Sequence, residues 1–325
     1  MVGSYFVDCM HDSVRILNRM NPETLMKSVK NETEKSGMRE AHVRDGVCMV
    51  KFLYWLKKNV GLKDISESEA ADYLDDLRRE TDGFLMHSFE TISAYGKNAA
   101  MVHYHAIKGE DSVLDSTGLY LCDSGAHYVD GTTDVTRTIS LGEISEEERF
   151  HFTIALKSLI ALSDASFLYR TSCSQIDMFA RGPLWQYGLD CPHTTGHGVG
   201  CVLDVHESPN IFAWQLKNPD PVISDGMVTS NEPGIYAEGS HGIRHENLLL
   251  AVKDADLKDG KQFMHFETLT LVPFDIEALD LSYLTKREIM WLDAYHEKVY
   301  ETLSPFLSEE VRAWLKTACR PLGEK

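Results

Sequence analysis

Residues 119–139, LYLCDSGAHYVDGTTDVTRTI, decide how this chain is read. An apolar run from Leu119 to Cys122 ends on Asp123. A Ser-Gly pair and the turn-prone Asp130-Gly131 come next, and then a β-branched run from Thr132 to Ile139. This is the pattern of a strand, a connection and a second strand. Alternation along the second strand sends Asp134, Thr136 and Thr138 to one face and Val135 and Ile139 to the other. A carboxylate at the end of an apolar run is costly to bury unpaired, so Asp123 requires a cation, a set of donors or solvent. Asp123 and Asp134, on adjacent strands, can share one cation.

Residues 231–250, NEPGIYAEGSHGIRHENLLL, offer a parallel arrangement. Glu232 and Glu246 stand at the two ends of a segment that reads as paired strands around a polar turn. Between the two carboxylate pairs lies HTTGHGVG, residues 193–200, which supplies imidazole beside glycines that permit close backbone approach. Four carboxylates and one histidine are a poor donor set for structural zinc, which favours thiolate and imidazole in a closed tetrahedron. They suit two divalent cations, whose charge four carboxylates balance and which sit about 3.5–4 Å apart in sites of this kind. Without a thiolate in the set, Mn²⁺, Co²⁺, Fe²⁺ and Zn²⁺ are all admissible.

Working outward, residues 1–21 read as a lead-in segment that ends at Asn21-Pro22, where a helix does not run straight through. A helical pattern follows from Glu32 to Val60, with Met38, Ala41, Val47, Val50, Phe52, Leu53 and Leu56 on its apolar face. Ser66-x-x-Glu69 predicts a capped helix to about Glu80, and strand-like stretches follow at Met101–Ile107 and Leu119–Leu141. The order then recurs. Ser145-x-x-Glu148 caps a helix to about Leu162 and Ser174-x-x-Asp177 another to about Tyr187, before strand-like sequence from Gly200 to Val252. The expectation is an α+β fold of two helix–helix–sheet halves over residues 22–274. A helical extension over 275–325 starts its first long helix at Thr285-x-x-Glu288, and its aromatic residues suit either core packing or a subunit contact.

Composition narrows the function. Lys and Arg total 32 against 50 Asp and Glu, a net charge of −18, which repels polyphosphate and argues against a nucleic-acid partner. Seven scattered cysteines without paired spacing read as reduced thiols of a cytoplasmic protein. No stretch approaches the length needed to span a bilayer.

The segment Asp123 to Thr138 resembles the signature of the aminopeptidase P branch of the pita-bread metallopeptidases. His193 to Gly200, Val205-His206-Glu207, Asn231 to Gly234 and Gly242 to Asn247 agree with that branch in order, and the similarity runs from about residue 22 to the C-terminus. The resemblance implies the pita-bread fold with two pseudo-symmetric halves and two divalent ions per chain, Mn²⁺ first, with Co²⁺ or Zn²⁺ as alternatives. Asp123 would hold one metal, Asp134 and Glu246 would bridge both, and His197 and Glu232 would complete the other site. It further implies release of the first residue from peptides with proline second, by attack of a metal-bridging hydroxide. Glu232 would accept the proton, and His193 or His206 would steady the carbonyl. His103, His193 and His206 fall where the family places active-site imidazoles, and Tyr236 and Arg244 where residues line or gate the cleft. A homodimer is expected. Prolidase, methionine aminopeptidase and a metal-free peptide-binding module are the alternatives. His245 departs from the branch, which has an apolar residue there; beside Glu246 it either perturbs the site or points away. Almost nothing precedes residue 22, so the chain reads as an isolated catalytic domain or as a piece of a longer protein.

Overall fold

Side chains that cap the free N–H groups of the first turn set where the principal helices begin. In the computed structural model, capping boxes formed by Asn31 with Glu34, Ser66 with Glu69, Ser145 with Glu148 and Thr285 with Glu288 open four of them. The structure describes the chain except for residues 1–3, 12, 18–20, 216–219 and 324–325. The corresponding parts of the lead-in segment, of the strand-rich stretch from Gly200 to Val252 and of the C-terminal extension lie outside the described residues.

The helices are α1 (Ser4–Asp8), α2 (Pro22–Ser28), α3 (Glu32–Asn59), α4 (Glu67–Arg79), α5 (Glu146–Ser163), α6 (Cys173–Trp185), α7 (Lys286–Leu303) and α8 (Glu309–Ala318). Asn21 caps α2 and Pro22 is its first residue, so the Asn-Pro dipeptide starts a helix. The strands are β1 (Phe84–His87), β2 (Ile92–Tyr95), β3 (Leu119–Ser124), β4 (Ala126–Tyr128), β5 (Gly131–Thr132), β6 (Val135–Ser140) and β7 (Phe167–Leu168). They continue as β8 (Gly196–Gly198), β9 (Glu207–Phe212), β10 (Val228–Asn231), β11 (Gly234–Ala237), β12 (His241–Arg244), β13 (Asn247–Lys253) and β14 (Phe263–Thr268).

Two layers of helix on sheet result. In the first half α3 and α4 cover the antiparallel sheet β2-β3-β6, burying Phe52, Leu56 and Leu74 against Tyr120, Cys122 and Ile139. In the second half α5 and α6 cover the sheet β7-β14-β13-β10-β8-β9, with Leu162, Ile176 and Ala180 against Phe212, Leu249 and Phe266. The C-terminal helices share a core with α3 and α5, where Leu292, Val299 and Leu315 meet Val50, Phe152 and Leu156. The two halves meet edge to edge. The Glu246 N–H donates to the Thr136 carbonyl at 3.1 Å, and the Thr138 hydroxyl donates to the Arg244 carbonyl at 2.9 Å.

Arg137 fastens this junction from behind. It is 1% exposed, and its guanidinium donates to the carbonyls of Glu246 (2.6 Å), Val272 (2.7 Å) and Pro273 (3.2 Å) and to the Asn247 side chain (2.8 Å), while stacking on Phe274. Its charge is spread over neutral acceptors, which a planar fork of five donors can do and an ammonium cannot.

Two expectations fail. Met101–Ile107 is no strand; it is an irregular loop after a 3₁₀ turn at Gly96–Ala100, and the strands of this region are β1 and β2. The cap of α6 is Ser172 with Gln175, not Ser174 with Asp177. The Ser174 hydroxyl bonds Asp220 at 2.5 Å, and Asp177 is engaged by Arg181 at 2.7 Å and by the Thr195 hydroxyl at 2.6 Å, so tertiary partners have taken both side chains.

His245 points away from the carboxylates. It is fully buried, donates from Nε2 to the Phe152 carbonyl at 3.2 Å and meets the Phe152 ring edge-on. His296, on α7, accepts the Phe274 N–H at 3.1 Å. Burial first, and the nearby Arg137 charge second, push both imidazoles down to about 3. Their folded pKa lies below the unfolded value of about 6.5, so their contribution to stability is complete above pH ~6.5 and is lost as pH falls toward ~3. The slope is about 1.4 kcal/mol per pH unit for each histidine. His296→Gln should therefore shrink the stability difference between pH 7 and pH 5 by about 2 kcal/mol, measured by urea unfolding at both values. An unchanged difference would show that His296 titrates normally.

Candidate metal centre

Strand register brings the acidic residues together. β3 and β6 pair with Asp123 opposite Thr136 and Ser124 opposite Val135, so Asp123 and Asp134 lie at one end of adjacent strands. β10 and β13 pair with Asn231 opposite Asn247, which places Glu232 just after one strand and Glu246 just before the other. The β11–β12 hairpin between them pairs Gly234 with Arg244. His197 sits in the middle of β8, its N–H donating to the Ser230 hydroxyl at 2.9 Å. Gly196 allows this approach, because a Cβ there would collide with the Ser230 carbonyl.

Ligand atoms of Asp134, His197 and Glu246 all lie within 4.8 Å of one another. His197 Nε2 is 3.3 Å from Glu232 Oε1 and 3.5 Å from Asp134 Oδ2. His197 Nδ1 faces the Gly198 carbonyl at 3.0 Å, which requires a proton on Nδ1 and leaves the Nε2 lone pair directed at the carboxylates. Glu246 has one oxygen on the Thr136 hydroxyl at 2.8 Å, and Asp123 one oxygen on Arg244 at 2.5 Å. The second oxygen of each, Glu246 Oε1 and Asp123 Oδ1, is buried without a protein partner. Burial first, and then the neighbouring carboxylates Asp123 and Glu232, hold Asp134 well above the usual carboxylate range. Glu246 is raised by burial, Asp134 and Glu232, and Glu232 by burial and Asp123. Orphaned oxygens, a free imidazole lone pair and mutually repelling buried carboxylates are satisfied together by divalent cations, so the donor set fits them.

These five residues open on a cleft of about 210 Å³ that Ile92, His103, His206 and Arg244 also line. His103 and His206 are exposed at its surface, and the His206 ring meets His197 edge-on at 4.2 Å. His193 and Tyr236 stand behind. The Tyr236 hydroxyl donates to His193 Nε2 at 2.8 Å and accepts from Arg244 at 2.8 Å, while His193 Nδ1 donates to the Thr194 carbonyl at 2.7 Å. As arranged, both His193 nitrogens are engaged, and of the two histidines weighed for holding the carbonyl only His206 lines the cleft.

Several supporting residues escaped the sequence reading. Thr136 accepts from Arg244 Nε at 3.2 Å and so links the guanidinium to Glu246. Buried Arg181 and Asp177 fix the loop before β8, Arg181 donating to the carbonyls of Cys191 and His193 at 2.7 Å each. Their spacing of four residues on α6 is a visible ion-pair signal. Lys30 reaches Glu207, next to His206, at 2.6 Å with both side chains buried; nothing local in the sequence links them.

A family model described as metallopeptidase family M24 matches residues 36–253. This chain belongs to metallopeptidase family M24. A second model, the C-terminal region of peptidase M24, matches residues 262–322. The M24 chain is 41% identical over 317 residues to a protein of Tuber melanosporum named probable Xaa-Pro aminopeptidase P, covering 96% of this chain and 51% of that one. The crystal structure of an X-prolyl aminopeptidase from Caenorhabditis elegans, described as a cytosolic enzyme with a di-nuclear active site, is similar at a TM-score of 0.89 and 38% identity. The match covers 93% of this chain and 50% of that one. A recombinant prolidase from Thermococcus sibiricus is similar at a TM-score of 0.62 and 28% identity, over 77% of this chain and 62% of that one. The M24 chain thus spans about half the length of the curated relatives it matches. The pita-bread fold of the M24 peptidases is its fold, and no helix among the described residues is long and apolar enough to cross a membrane.

Proposed function

We infer that this M24 chain is a metal-dependent aminopeptidase that releases the first residue from peptides with proline in second place. The observation that carries the reading is the grouping of Asp134, His197 and Glu246 in a cleft that Asp123 and Glu232 also line, with unpartnered buried oxygens on Asp123 and Glu246, in a chain 41% identical to a relative named for Xaa-Pro cleavage. We assign two divalent ions per chain, Mn²⁺ before Co²⁺ or Zn²⁺, to these five residues. When bound, the ions would supply a Lewis acid and an acidified water. Residues 22–274 would be the catalytic unit, residues 275–325 an extension whose exposed Met290 and Phe306 suit contact with a second copy, and the cytoplasm the site of action.

The protein's own groups have distinct tasks. Glu232, raised by burial, accepts a proton from water. His206, exposed on the cleft, donates to the substrate carbonyl, and His103, also exposed there, contacts the bound substrate. The Xaa-Pro bond is a tertiary amide with no N–H, so the cleft must hold its substrate without that donor. The concentrated negative charge attracts the free ammonium end, which favours removal of a terminal residue over internal cleavage.

Arg-Pro-Pro and Arg-Ala-Ala peptides, each with and without N-acetylation, test the assignment on protein supplied separately with Mn²⁺, Co²⁺ and Zn²⁺. The free proline peptide should be cleaved at least about 100-fold faster than the alanine peptide, and acetylation should abolish cleavage. Equal cleavage of the alanine peptide, or cleavage after acetylation, would overturn it. Exclusive cleavage of an Xaa-Pro dipeptide would favour the prolidase reading, and cleavage of Met-Ala a methionine aminopeptidase.

A further inference from the structure

A buried carboxylate lies outside the metal cluster and has no part in the chemistry above. Glu67, the first residue of α4, is 0% exposed. Its carboxylate accepts five hydrogen bonds, from the Tyr95 N–H (2.5 Å), from Asn98 Nδ2 on both oxygens (3.0 and 3.1 Å), from the Tyr104 hydroxyl (2.8 Å) and from the Ser112 N–H (2.9 Å). Every one of these donors belongs to the stretch 95–112. The Glu67 N–H in turn donates to the Ser112 carbonyl at 3.0 Å, so Ser112 is held from both sides.

Residues 96–111 form no strand; after one 3₁₀ turn the chain runs irregularly until Ser112. A loop without a ladder takes its shape from whatever satisfies its backbone and polar side chains. Here one carboxylate gathers the first N–H, the last N–H and two side chains from the interior. Charge-assisted hydrogen bonds are about twice as strong as neutral ones, which lets hydrogen bonds alone hold this buried charge. The far side of the loop rests on β12, where Gly242 leaves room for the Ala99 carbonyl that a Cβ would strike. The flanks of Tyr104 are His103 and His105, both of which line the cleft.

We propose that Glu67 is a positioning residue which, by clasping the two ends and the middle of loop 95–112, holds His103 and His105 as one wall of the substrate cleft. The proposal rests on the peptidase reading for its kinetic consequence but not for its structural one. Glu67 touches neither the metal ligands nor the cleft, so its loss should weaken substrate binding more than turnover.

The test is a double-mutant cycle on the full chain loaded with Mn²⁺, using an Arg-Pro-Pro peptide. Glu67→Gln turns an amide NH₂ toward donors that need an acceptor; we expect KM to rise about tenfold with kcat within about threefold of the parent. His103→Ala should raise KM by a similar factor, and the double variant no further than the larger single effect. Amide hydrogen exchange should quicken in Glu67→Gln over 96–112 and stay unchanged over 119–140. Multiplying effects in the double variant, an unchanged KM, or exchange quickened equally in both segments would overturn the proposal. If Glu67→Gln does not fold, Tyr104→Phe removes a single donor and should raise KM about threefold, and a parental KM there would equally overturn it. If the parent cleaves no peptide, the peptidase reading fails, and unchanged exchange over 96–112 alone then decides against Glu67.

Discussion

Glu246→Ala should purify as folded protein with its metal lost and peptidase activity down about a thousandfold or more. The expectation follows from how the side chain is held. One Glu246 oxygen is fixed by the Thr136 hydroxyl, and the other is buried with no protein partner. Deleting the carboxylate removes a proposed ligand, whereas the backbone bond from the Glu246 N–H to the Thr136 carbonyl persists and keeps the two halves joined. A second consequence runs against the usual cost of a core truncation. Because burial, Asp134 and Glu232 raise this carboxyl, it is a strained group without a cation at neutral pH, and its folded pKa lies above the unfolded one. Its favourable contribution is complete below the unfolded pKa of about 4.3 and is lost as pH rises toward the folded value, so at pH 7 the metal-free wild type carries a penalty that the variant lacks. Thermal unfolding with chelator should therefore find the variant no less stable than wild type, while added Mn²⁺ should stabilise only wild type. Asp134→Ala should behave alike. Full metal content in an active Glu246→Ala protein would refute the assignment.

Arg244→Lys should reduce kcat by about 10- to 100-fold while most of the metal stays bound. The guanidinium donates in three directions, to Asp123, to the Tyr236 hydroxyl and to Thr136, each a different branch of the site. A lysine ammonium at the end of a flexible stem cannot serve all three at once. The branch through Tyr236 ends on His193, so Tyr236→Phe should move kcat in the same direction by a smaller factor. Wild-type kcat in Arg244→Lys would remove Arg244 from the working site.

What could be read from the sequence follows the range of the forces involved. The capping boxes at Ser66, Ser145 and Thr285 lie within four residues of themselves, and the helices start where those residues say. Ser172-x-x-Gln175 and Ser174-x-x-Asp177 overlap, and only tertiary contacts of Asp177 choose between them. The five candidate ligands were legible because the four carboxylates stand at the ends of strand-like runs, where burial without a partner is too costly to be incidental, and His197 lies between the two carboxylate pairs among glycines. Their orientation was less so. The resemblance leaves His193 and His206 as alternatives, and only the Tyr236 hydroxyl reveals that His193 is already engaged. The misread strand at Met101–Ile107 has the same origin, since the carboxylate that shapes that loop comes from Glu67, on a separate helix. Lys30 and Glu207 are 177 residues apart, and no local pattern anticipates such a pair.

Arg137 ties the C-terminal segment to the candidate site. Its donors end on carbonyls of Val272 and Pro273 and its neighbour Tyr295 lies on α7, while other donors reach Glu246 and Asn247 beside the ligands. Shortening the chain before α7 would strip Tyr295 from this network and uncover Phe274, on which the guanidinium rests. Proteolytic nicking between the two regions should consequently be rare in the native state, and heat should melt both in a single transition. A single transition would make the change of secondary structure at Phe274 internal to one cooperative unit, and two transitions would make it a border between the catalytic unit and its extension.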